Sequence, residues 1–146
     1  MPRETGTAVA VAAAIALTEA GADNLYAWGE GCLGWRLLEQ EGLQLRQELM
    51  QPGTSETPHL HRHARQVFYV LEGEMTLRMP EGTLRARPRQ AIHVPPGRPH
   101  WVRNDGAGDL VFVLVSSPST AGDRIEVETD GWTPLTSRDA NERDDR

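Results

Sequence analysis

Between Trp35 and Ser116 the chain never sustains a helical repeat; it breaks every few residues into short segments in which alternate positions are apolar. This constrains the fold more than anything else. Strand side chains alternate between faces with period 2, whereas a helix brings every third or fourth residue to one side. Trp35–Leu38, Leu43–Leu49, Gln66–Leu71, Glu74–Met79, Thr83–Arg87, Ala91–Val94, His100–Arg103 and Leu110–Ser116 read as strands, and His59–His63 enters another. Leu43–Leu49 alternates apolar and polar, as a half-buried strand does. Gln51-Pro52-Gly53-Thr54, Glu72-Gly73 and Pro80-Glu81-Gly82 supply the turns. About eight to ten short strands with such punctuation predict an all-β sandwich or barrel.

The 146 residues suffice for one core and not for two. A net charge of −6 argues against non-specific nucleic-acid binding, which needs a basic surface. No apolar run approaches the ~20 residues that span a bilayer. The single Cys32 excludes an intramolecular disulfide and a cysteine-based zinc site, and fits a reducing cytoplasm.

Residues 1–22 are rich in alanine. The run Ala8–Leu17 followed by Ala20-Gly21-Ala22 has the shape of a secretory signal, but Glu4 offsets Arg3 and the apolar core is mostly alanine. We therefore expect a helix or arm ahead of the barrel and a cytoplasmic protein. Tyr26, Trp28 and Trp35, among glycines, are expected to cover an open end or edge of that barrel. The barrel is expected over residues 23–132. The tail 133–146, ending in charges of both signs without apolar content, is expected to be disordered.

The chemistry concentrates in two stretches. His59 and His61 stand two apart and point to one strand face; His100 opens a distant strand, and Gln66 offers a side-chain oxygen. Three imidazoles and an oxygen are the materials of a site for a divalent transition metal such as Fe, Mn, Ni, Zn or Cu. Gln66 is either a direct, uncharged ligand or a group that orients a ligand. His63 shares the parity of His59 and His61, and so is a candidate for the barrel mouth. If Gln66 faces inward, so do Phe68 and Val70, giving an apolar pocket wall to which Met79, Trp101 and Phe112 are further candidates. Such a pocket suits a small organic ligand. No G-x-S-x-G, Cys–His pair or phosphate-binding glycine loop offers an alternative.

These stretches also resemble the two motifs of the small cupins. Gly53, His59-x-His61, Gln66 and Gly73 fall at the spacing of the first motif, and Pro95-x-Gly97, His100 and Asn104 at that of the second. The resemblance covers roughly residues 35–117. It implies a double-stranded β-helix (jelly-roll) barrel, with His59, His61 and His100 as metal ligands and Gln66 where most relatives carry glutamate. It departs a second time at Arg89, where the pattern has glycine. There either a positive φ is held at a cost of about 1 kcal/mol or, more simply, the turn after Pro88 is of another type.

The resemblance implies several activities, because the fold hosts many. A three-histidine site with open positions suits a metal-dependent, oxygenase-like enzyme acting on a small molecule. The alternatives are an isomerase, or a non-catalytic module that binds or senses a small ligand. Finally, Val67–Leu71 is apolar on both faces, so one face needs cover; a C2 homodimer through that sheet is expected.

Overall fold

The computed structural model describes residues 14–135. Among them are eleven strands and no helix, hence none long and apolar enough to cross a membrane. Expectations for residues 1–13 and 136–146 lie outside the described residues; residues 14–20 take no regular structure. A hairpin of β1 (Leu25–Trp28) and β2 (Cys32–Glu39) leads into β3 (Gln44–Met50), β4 (His59–His61) and β5 (Arg65–Glu72). Then come β6 (Met75–Met79), β7 (Gly82–Ala86), β8 (Ala91–Val94), β9 (Trp101–Arg103), β10 (Leu110–Ser117) and β11 (Arg124–Glu126).

All pairings are antiparallel. One sheet has the order β1-β2-β3-β10-β5-β8; a second has β7-β6-β9, and β11 pairs with β4. An isolated bridge between His59 and His100, closed by backbone bonds of 3.1 and 2.9 Å, joins β4 to the start of β9. The two motif strands are thus neighbours across one seam. The core lies between the sheets: Phe68, Val70, Leu110 and Phe112 of the larger sheet are packed in one cluster with Met75, Leu77 and Val102 of the smaller. Fully burying side chains of this size contributes roughly 1.5–3 kcal/mol each.

Three sequence expectations are corrected. The strands begin before Trp35, since the glycine-punctuated segment forms β1, at the edge of the large sheet, and the start of β2. The strand entered at His59 stops at His61, because the amides of Arg62, His63 and Ala64 turn onto the carboxylate of Asp123 at 2.8–3.2 Å. In β3 the alternation is present with its polar face inward: Gln44 and Glu48 are buried, whereas Leu43 is exposed and Leu45 and Leu49 are only half-buried. The reason is local: at Gln44 and Glu48 the inner face of β3 borders a polar cavity, and only its Met50 end reaches the apolar core.

Two turns carry opposite backbone accounts. Gly73, between β5 and β6, has φ 79°, and a Cβ there would stand 2.3 Å from the carbonyl oxygen of Asp109. Arg89 holds φ 73°, so the turn keeps its left-handed residue and the simpler reading of a different turn type is wrong. It is held there by Arg89 N–H donating to Val70 O (2.9 Å) and Val70 N–H donating to Gln90 O (3.1 Å). Gly73→Ala should therefore destabilise by about 2–4 kcal/mol, from the positive φ plus the clash. Arg89→Gly should stabilise by about 0.5–1 kcal/mol, since relief of the left-handed cost exceeds the added unfolded-state entropy. Urea midpoints of the two variants check the signs.

Candidate metal centre

His59 and His61 face inward from β4, and His100 enters from the loop ahead of β9; all three are buried. One ring nitrogen from each lies within 4.8 Å of the others. Ring centroids are 4.9 Å apart for His59–His61, 4.6 Å for His59–His100 and 6.0 Å for His61–His100. Each ring spends Nδ1 on a backbone carbonyl: His59 on Thr57 O at 2.7 Å, His61 on Asp123 O at 3.0 Å, His100 on Arg98 O at 2.9 Å. A nitrogen facing a carbonyl must carry the proton, so Nε2 keeps the lone pair on all three rings.

Burial holds all three imidazoles neutral. Loss of solvation is the largest cause for each; it takes His59 down to about 3 and His100 down to about 4, and lowers His61 as well. Neighbouring imidazoles and the Arg124 guanidinium add to the effect. Nε2 of His100 is buried without any hydrogen-bond partner, and so is Oε1 of Gln66, whose Nε2 donates to Ser116 Oγ at 3.1 Å. Clustered neutral imidazoles, each with a free lone pair, and an orphaned amide oxygen fit a divalent transition ion.

Beside the rings is a cavity of about 170 Å³ lined by His59, His61, Gln66, Phe68 and Phe112, and also by Tyr26, Trp28, Glu48 and Arg124. Val70 lies in the core and does not line it, while Met79 borders a second cavity of about 160 Å³ that His100 also lines. Trp101 points to the other side of β9, where the Arg103 guanidinium sits 4.5 Å from its ring centroid. His63 is exposed, because the Asp123 turn takes it off the strand parity. The wall is therefore not the apolar one expected.

Two residues escape sequence reasoning: Glu56, at a position within the first motif that the motif leaves unspecified, and Asp123, beyond both motifs. Glu56 accepts from Val102 N–H at 3.0 Å and lies 3.9 Å from Nδ1 of His59; burial pushes its carboxyl up to about 8. Asp123 supplies the carbonyl that holds His61, and its carboxylate is held below the usual range by the three amides it accepts, against the opposing effect of burial. A lone aspartate in a Gly-Asp-Arg turn gives only a weak signal of such a role.

These shifts oppose one another in the metal-free protein. The unfolded chain protonates its histidines near ~6.5 while the folded one resists, so their contribution is complete above that pH and is lost as pH falls. Glu56 behaves in the reverse sense: folding keeps it protonated, so its contribution is lost as pH rises from ~4.3 towards 8. Between about 4.5 and 6.5 the one carboxyl offsets only part of the effect of the three histidines. In Glu56→Gln that offset is removed. Stability of that metal-free variant should fall from about pH 6.5 downward, by up to ~1.4 kcal/mol per pH unit for each histidine. A pH series of urea midpoints checks this; a flat profile to pH 5 would contradict it.

The description "Cupin domain" belongs to the family model that matches residues 46–116. No curated protein matches the chain. Among solved structures, KdgF from Halomonas sp. is 18% identical with a TM-score of 0.66, covering 73% of this chain and 96% of that one. The polyketide cyclase RemF from Streptomyces resistomycificus is 21% identical with a TM-score of 0.61, covering 80% and 91%. An RmlC-like cupin from Shewanella frigidimarina is 24% identical with a TM-score of 0.59, covering 70% and 85%. At these identities the likeness is one of fold. The sequence match adds to it, because residues 46–116 contain both histidine stretches and the strands that back them. The chain belongs to the cupin family.

Proposed function

We propose that this cupin is a metal-dependent enzyme acting on a small organic molecule, oxygenase-like in its chemistry. His59, His61 and His100 hold a divalent transition ion (Fe, Mn, Ni, Zn or Cu) and Gln66 completes the set through Oε1. One observation carries this reading: three buried imidazoles, each with Nδ1–H donating to a backbone carbonyl, cluster beside a cavity that His59 and His61 line. An ion bound there would keep its full charge, since no carboxylate belongs to the cluster, and would supply strong Lewis acidity or redox chemistry. The chain's own residues position and desolvate the ligand: Phe68 and Phe112 pack 5.8 Å apart on one wall, and Arg124 brings positive charge to the site. A polyketide cyclase among the similar folds illustrates this barrel working on a small organic molecule. The unit proposed is the barrel of residues 23–132, and the free, buried Cys32 suits a cytoplasmic setting.

Elemental analysis after reconstitution should give about one ion per chain, lost in the His59→Ala/His61→Ala double variant. Stoichiometric metal retained by that variant would place the site elsewhere. An O₂-uptake screen with candidate substrates then separates an oxygenase from an isomerase or a binding module. Gln66 gives a finer test: Gln66→Glu should tighten the ion and destabilise the metal-free protein by burying a charge, whereas Gln66→Ala should weaken binding about 10-fold or more. Equal affinities in competition titrations would remove Gln66 from the site.

We also infer a homodimer. Tyr69 and Leu71 are exposed and Val67 half-buried on the outer face of β5, beside the half-buried Val113 and Val115 of β10. A second copy would cover this apolar strip. Light scattering at micromolar concentration should give the mass of two chains; a monomer mass would contradict it.

A further inference from the structure

A row of three residues crosses the first strands of the large sheet. Tyr26 of β1 is paired with Gly34 of β2, and Gly34 with Glu48 of β3. The Tyr26 ring lies across Gly34, where a Cβ would stand 2.2 Å from its Cζ and 2.4 Å from its hydroxyl oxygen. Only glycine leaves room for that crossing. It lets the hydroxyl donate to Oε2 of Glu48. Arg36 and Arg46, themselves paired across β2 and β3, hold their guanidinium carbons 4.2 and 5.4 Å from the ring centroid. Glu39 fixes Arg46 with two bonds of 2.9 and 2.6 Å. Tyr26 and Glu48 both line the cavity of the metal centre, although Glu48 is only 8% exposed.

A carboxyl group is costly to bury, and nothing described so far uses this one. We propose that Glu48 is the proton acceptor and donor for a ligand carrying an acidic hydroxyl (an enol, a phenol or a hydroxamic acid) seated in this cavity, with Tyr26 on Gly34 as its positioning residue. The inference rests on the metal-centre reading. A cationic centre with only neutral ligands favours an anionic oxygen donor, and the displaced proton needs a place to go. The Glu48 carboxylate takes it. The ligand O–H bond breaks with its electron pair left on oxygen, a new O–H bond forms on Glu48, and the transfer reverses when the ligand leaves. Nothing is oxidised or reduced.

The groups facing Glu48 agree with this role. Burial raises its carboxyl towards neutrality, the Tyr26 hydroxyl and Arg46 pull it down, and Glu39 pushes it up. Glu56 and Cys32 sense its charge in turn.

The test counts protons rather than turnover. The Co(II)-loaded protein is titrated with acetohydroxamic acid by calorimetry in buffers of differing ionisation enthalpy, from pH 5.5 to 8.5. Wild type should release fewer protons to buffer than Glu48→Gln, with the difference approaching one per bound probe where Glu48 is ionised. Glu48→Asp should retain a titrating deficit with a shifted midpoint, which guards against loss of the fold in the glutamine variant. Tyr26→Phe and Gly34→Ala should each move that midpoint in the same direction, and together no further than either alone. Identical proton release in wild type and both Glu48 variants at every pH overturns the inference, as does an unmoved midpoint in Tyr26→Phe for the positioning role. If the wild type takes up no Co(II), the metal reading fails and this one with it; if it takes up Co(II) but does not bind the probe, this inference alone is overturned.

Discussion

Three backbone carbonyls decide what this barrel can hold. Thr57, Asp123 and Arg98 each accept from Nδ1 of a buried histidine, and in doing so fix the tautomer and the plane of the ring. The accepting groups belong to different parts of the chain. Thr57 precedes β4, Arg98 lies in the Pro-Gly turn ahead of His100, and Asp123 stands just before β11. The His59–His100 bridge brings the first two together, and the pairing of His61 with Arg124 brings in the third. Barrel closure and ligand orientation are one event here. A candidate centre assembled this way is only as rigid as the short strand β11, and Asp123 is tied down twice, by its carbonyl and by its carboxylate.

The inner surface is divided. At one level the two sheets meet in apolar packing, with Phe112, Met75, Leu77 and Val102 fully buried. At another, β3 turns Gln44 and Glu48 inward and the sheets stand apart around a cavity. Each polar group there has a partner that offsets its desolvation: Glu48 takes the Tyr26 hydroxyl, Arg46 is held by Glu39, and Gln44 Oε1 accepts from Thr120 N–H at 3.1 Å. Gln66 Oε1 and His100 Nε2 have no hydrogen-bond partner, as Thr76 Oγ1 and Trp101 Nε1 have none elsewhere in the fold, and the first two belong to the candidate centre. Buried atoms without partners are rare enough to carry information about what is missing.

Much of this was legible in the chain itself. Period-2 segments and their turns announce the all-β fold, and the spacing of His59, His61 and His100 marks three residues that the structure brings together. The limits have specific physical causes. Parity reasoning holds only while a strand continues: it fails for His63 because Asp123, sixty residues away in sequence, ends β4 at His61. It also says that two faces differ without saying which is inside, so β3 reads as an ordinary amphipathic strand although its polar face is the inner one. Trp101 follows an inward histidine and so must point outward. The Tyr26–Gly34–Glu48 row depends on registers across three strands and has no local signature. Arg89 shows the converse, a backbone position whose left-handed geometry survives the loss of its glycine.

The central claim is that Nδ1 carries the proton on all three histidines and Nε2 faces the ion. Nitrogen-15 NMR of histidine-labelled, zinc-loaded protein tests it directly. The account predicts three rings in the Nδ1-protonated tautomer, with the Nε2 resonances of His59, His61 and His100 displaced on zinc addition and two histidines unaffected. Zinc-induced shifts at Nδ1, or shifts confined to fewer than these three rings, would contradict it.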